Sequence, residues 1–98
     1  MDALHRIKTL LHEYSHALDF ATNPDESISR NRRELIAESS AYVVSGRLGI
    51  DTTRYTSGYL RSWLREKDEL AIVADTVQKV AATIIEKLAE SPDFAFLN

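Results

Sequence analysis

The chain has 98 residues, 28% of them charged and 44% hydrophobic, with a formal net charge of -3 and no cysteine. That length predicts one domain with a single modest core and leaves no room for a separate recognition domain, and the mixture is that of a soluble globular protein, neither disordered nor membrane-embedded. The missing cysteines exclude disulfides and thiolate ligands, so any metal must be held by nitrogen and oxygen.

The negative balance gives no general pull toward nucleic acid, and none is expected for this chain alone. Arg30, Arg32 and Arg33 form a small basic cluster that reads as a solvated helix start. No apolar run approaches the length of a bilayer span, and the first apolar cluster is interrupted by His5, Arg6 and Lys8. Neither a leader nor a membrane anchor is expected, and the cytoplasm is the expected compartment.

Asp2 to about Ala21 should be the first helix. Ala3, Ile7, Leu10, Leu11, Tyr14, Ala17, Leu18 and Ala21 recur at steps of three and four, which gives one apolar face, and no Gly or Pro interrupts them. Within it stands His12-Glu13-Tyr14-Ser15-His16. Residues four apart on a helix lie above one another, about 6 Å along the axis, so His12 and His16 can offer ring nitrogens to one ion. Glu13 is rotated off that stripe and can reach a water beside the ion without being a ligand, as a general base in hydrolysis must. His5 shares the stripe of His12 but lies about 10 Å further along, too far to ligate the same ion. Asp19 could approach a metal, but a helix-end or surface role is the expectation.

The segment 22–29, Thr22 to Ser29, is polar and holds Pro24, so it should end the first helix and turn the chain back antiparallel. A second helix should run from about Arg30 to Leu48, with Ser29 as N-cap and Gly49 as its stop. Ile36, Tyr42, Val43, Val44 and Leu48 make it apolar, yet Glu34 and Glu38 stack on one of its faces. Like charges at that spacing repel, and a cation would remove the objection. Either glutamate can be its ligand on spacing alone. Neutralisation of the pair by Arg30 and Arg33 at the surface is the plainer alternative.

His12-Glu13-x-x-His16 followed by Glu34-Leu35-Ile36-Ala37-Glu38 resembles the zinc metallopeptidases in which a His-Glu-x-x-His helix is completed by a glutamate from an E-x-x-A-[DEN] helix. The chain looks most like ImmA/IrrE-type peptidases and the peptidase-like half of ArdC-type antirestriction proteins. Further similarity to the ArdC type runs through residues 41–44, 48–52 and 59–64. The resemblance implies His12, His16 and Glu34 as zinc ligands, Glu13 as catalytic base, and Glu38 as a carboxylate that orients a ligand histidine. It also implies a peptide or protein substrate. Two departures stand out: such families usually place a small sheet before the histidine helix to hold substrate, and ArdC-type proteins carry an upstream single-strand DNA-binding domain. Neither is expected here. A further zinc-peptidase class, with Gly and His or Asp following the motif, is excluded by Asp19 and Thr22.

Asp51 to Arg54 reads as a turn and Tyr55 to Arg65 as a short third helix, on which Tyr59 and Trp63 are spaced to pack together. A fourth helix should run from about Asp68 to Glu90, with Leu70, Val73, Val77, Val80, Ala81, Ile84 and Leu88 as its stripe. Ser91-Pro92 ends it, and a tail with Phe94, Phe96 and Leu97 is apolar enough to be ordered. The expected fold is therefore all-α, a four-helix zincin-like domain over residues 1–98 lacking the usual upstream β-sheet. Its expected function is zinc-dependent peptide hydrolysis, with Tyr42, Tyr55 and Tyr59 as candidate oxyanion donors. The alternative is a weakly active or inactive interaction module of a mobile genetic element, with the metal as a structural staple. A homo-oligomer or a partner protein is expected in either case.

Overall fold

The computed structural model describes residues 2–51 and 67–98. Among them the fold is all-α, with no strand. The elements are α1 (Ala3–Thr22), α2 (Arg30–Arg47), α3 (Lys67–Ala89) and a C-terminal 3-10 segment, Pro92–Leu97. The helix expected over Tyr55 to Arg65, with Tyr59 and Trp63, lies outside the described residues.

The helix ends follow from local chemistry. Asp2 caps α1 by accepting the backbone N–H of His5 at 2.9 Å, and Ser29 caps α2 by accepting that of Arg32 at 3.1 Å. At the other end of α2, Gly49 takes φ +76, a left-handed conformation in which an L side chain is strained. Its N–H reaches Gly46 O at 3.1 Å and that of Ile50 reaches Ser45 O at 2.9 Å, the paired bonds of a Schellman stop. In α3, Asp68 and Glu69 occupy the first turn and Lys87 the last, each on the side of the helix dipole that favours its charge.

α2 is the central element. Leu35, Ile36, Ala37, Ala41 and Val44 are buried along it. Around Ala41 and Val44 gather Leu11 of α1 and Val80, Ala81 and Ile84 of α3, while Leu35 and Ile36 pack on Val73 and Val77. No helix among the described residues is long and apolar enough to cross a membrane.

The buried faces differ from the apolar stripes expected of the sequence. Leu10 and Tyr14 of α1 are exposed, as are Tyr42 and Val43 of α2, whereas Ser15, Asp19, Ser40 and Ser45 are buried. Small side chains at a helix contact let the backbones approach closely, which large ones would prevent. Ser15 can occupy such a place because its hydroxyl donates to the Leu11 carbonyl at 2.7 Å instead of seeking water. α1 packs on α2, and this packing sets the histidines of one helix against the glutamates of the other.

The tail is ordered as expected. Leu97 is buried, and its carbonyl accepts from Arg47 Nη2 at 3.1 Å, which ties the end of the chain to the end of α2.

Candidate metal centre

Glu34 stands between the two histidines. Its Oε1 lies 2.9 Å from His16 Nε2 and its Oε2 lies 3.3 Å from His12 Nε2. The rings themselves meet edge to face, with centroids 4.7 Å apart. One ligand atom from each of His12, His16 and Glu34 lies within 4.8 Å of the others, so these three residues could hold a metal ion. Tetrahedral ligands at about 2.0–2.1 Å from an ion stand about 3.3 Å from one another, a spacing close to the one observed here.

Glu38, one turn further along α2, faces the opposite side of the same imidazole. Its Oε1 accepts from His12 Nδ1 and also from Lys8 Nζ, the latter at 2.8 Å. The two glutamates that spacing alone could not tell apart are thus separated by position: Glu34 faces both Nε2 atoms and Glu38 faces a single Nδ1. A carboxylate on the far nitrogen of a ligating histidine fixes its tautomer and ring orientation. Among the described residues neither glutamate forms an ion pair with Arg30 or Arg33. Lys8 lies outside the His-Glu-x-x-His motif but was legible as a member of the His12 stripe, four residues earlier on the helix.

The ion pairing perturbs both partners. Hydrogen bonding to Glu38 raises the His12 pKa above its ordinary 6.5, against an opposing effect of burial, and the charges of Glu38 and Glu34 add to the rise. Burial of the Glu38 carboxyl works against its charge, but the hydrogen bonds and charges of His12 and Lys8 outweigh it and hold Glu38 down at about 2. In the metal-free protein the sign is therefore definite. The raised His12 pKa contributes stability that is complete below 6.5 and is lost as pH rises through the folded value, while Glu38 contributes above 4.5 and fails only as pH falls toward about 2. Metal binding has the opposite dependence on His12, because ligation needs the neutral ring. The affinity of this group for a metal ion should begin to fall while the pH is still above 6.5, and by at least about tenfold per unit once His12 is protonated. Zinc titrations at successive pH values check this, and an affinity that stays constant from neutral to mildly acid pH would point to carboxylate ligands alone.

Glu13 is exposed and lines a cleft of about 680 Å³ together with His16, Glu34, Phe20, Arg30 and Arg33. Glu13 and two of the three candidate ligands thus open on one space. Tyr42 is not part of it: it lines a separate depression with Ser39, Val43 and Leu70. Tyr55 and Tyr59 lie outside the described residues. His16 Nδ1 is buried with no hydrogen-bond partner among the described residues.

At the edge of the cleft the structure corrects two expectations. Asp19 is fully buried, neither a surface group nor a member of the metal cluster, and Arg33 is only 5% exposed, which no solvated helix start would be. Arg33 Nη1 lies 3.0 Å from Asp19 Oδ2 in an ion pair whose angle is off the hydrogen-bond direction. Its Nη2 donates to the Asp25 carbonyl at 2.8 Å, and the guanidinium sits 4.5 Å from the centre of the Phe20 ring. One side chain thereby joins α1, the connecting loop and α2, beside His16 and Glu34. A cation on another helix, across a loop, offsets the charge of Asp19, and no pattern within α1 could announce it.

Comparison of the chain with protein-family models, with curated proteins and with solved structures gives no match.

Proposed function

We propose that this chain is a zinc-dependent metallopeptidase domain of the kind the ImmA/IrrE and ArdC resemblance implies, with His12, His16 and Glu34 holding the ion and Glu13 acting as general base. The observation that carries the reading is the Glu34 carboxylate set against Nε2 of both histidines, with Glu13 lining the same cleft. Zinc is preferred because two imidazoles and one carboxylate form a three-ligand set of the catalytic type, which leaves a position for water. A bound zinc supplies a Lewis acid and lowers the pKa of a coordinated water toward about 7. Glu13 takes the proton of the attacking water and returns it to the departing amine nitrogen. Glu38 holds His12 by its Nδ1, and the cleft receives the peptide.

Glu13→Gln tests the assignment. Turnover of a peptide library should fall about 10²–10⁴-fold, the usual contribution of a positioned base, while zinc content stays that of the wild type. Turnover unchanged by this substitution would exclude Glu13 as the base.

A second reading is an interaction module that keeps the metal as a staple between α1 and α2. It is favoured by a cleft of about 740 Å³ with an almost wholly apolar lining that includes Leu10, Tyr14, Leu48, Ile50, Leu88 and Phe94. Apolar surface of this kind marks contact with another protein, a second copy of the chain included. A wild-type protein that binds zinc, cleaves no peptide and retains a partner after Glu13→Gln fits this reading and not the first.

A further inference from the structure

Lys8 extends from α1 to the buried carboxylate that orients His12. Its ammonium is 2.8 Å from Glu38 Oε1, the same oxygen that takes the Nδ1 proton of His12, and the two side chains are only 14% and 6% exposed. Glu38 Oε2 is buried with no hydrogen-bond partner among the described residues, so the carboxylate is held through one oxygen. A carboxylate removed from water is costly unless a charge and good hydrogen bonds compensate it. His12 supplies a hydrogen bond in every state, but as a metal ligand it is neutral and supplies no charge. Lys8 is then the cationic side chain in contact with Glu38.

We infer that Lys8 is a positioning residue for the metal centre: it holds Glu38 against Nδ1 of His12 and so keeps Nε2 of that ring turned toward Glu34 and His16. The inference rests on the metal reading of the site. An exposed ion pair would contribute little, but this one is largely covered and ends on a group that fixes a ligand. Removing such an outer partner typically weakens metal affinity about 10–100-fold.

The test is a zinc titration against a competing chelator on wild type, Lys8→Met and Lys8→Arg, with the His12 ring nitrogens followed by NMR. Methionine keeps an unbranched stem and a good helix former without the charge, and arginine restores the charge. Lys8→Met should bind zinc about 10–100-fold more weakly and lose the protected Nδ1 proton of His12, and Lys8→Arg should recover most of both. A folded Lys8→Met protein with wild-type affinity and an unchanged His12 signal overturns the inference and leaves the metal reading standing. A wild-type chain that binds no zinc overturns both. Should Lys8→Met fail to fold, Lys8→Gln, which keeps a donor and removes the charge, carries the same comparison.

Discussion

Replacing Arg33 by methionine is expected to lower the free energy of unfolding by about 3–5 kcal/mol, the loss that follows when one partner of a buried ion pair is removed and the other stays. The reason is specific to Asp19. Its carboxylate is fully buried, and the guanidinium at 3.0 Å is the cation set against it. The same substitution removes the bond to the Asp25 carbonyl and the contact over Phe20. Because a domain of ordinary stability has only about 5–15 kcal/mol in total, this loss is a large fraction of it, and the unfolding midpoint should move to clearly lower denaturant. Denaturant unfolding followed by circular dichroism measures the effect. The double variant Asp19→Leu, Arg33→Met should be more stable than Arg33→Met alone, since apolar residues of similar volume leave no uncompensated charge. A loss below about 1 kcal/mol for Arg33→Met would place the pair in the class of weak exposed contacts and contradict the account.

Chelation should have an effect of comparable size. The candidate ligands come from two helices joined by a loop, His12 and His16 from α1 and Glu34 from α2, so an ion bound to all three is bound to the folded state only. At a thousandfold excess of zinc over Kd the folded state gains about 4 kcal/mol. For a domain of this size that corresponds to about 15–30 °C in Tm. A melting curve that does not move in excess chelator, with the metal shown to be gone, contradicts the coupling.

Much of the fold could be read from the residues because the signals were local. Asp2, Ser29 and Gly49 mark helix ends through bonds to groups within a few residues, and a period of 3.6 needs only one helix to be visible. Which face of a helix is buried depends on its neighbours. The apolar count favoured Leu10 and Tyr14 on α1 and Tyr42 and Val43 on α2, which are exposed, whereas the small residues Ser15, Ala37, Ser40, Ala41 and Ser45 are buried. The site was legible for the opposite reason: His12 with His16 and Glu34 with Glu38 are each stacked by helical spacing, and a short connection can bring the two stacks together. Spacing could not rank the glutamates. That distinction comes from the relative rotation of the helices, which turns Glu34 to the Nε2 side and Glu38 to the Nδ1 side.

The central claim is that His12, His16 and Glu34 hold a metal ion, and metal analysis of protein purified without added zinc, set beside the same analysis of Glu34→Ala and Glu38→Ala, tests it most directly. The account predicts one zinc per wild-type chain, loss of zinc from Glu34→Ala, and retained but weaker binding in Glu38→Ala. A wild-type chain without stoichiometric metal, or a Glu34→Ala protein that keeps it while Glu38→Ala does not, contradicts the account.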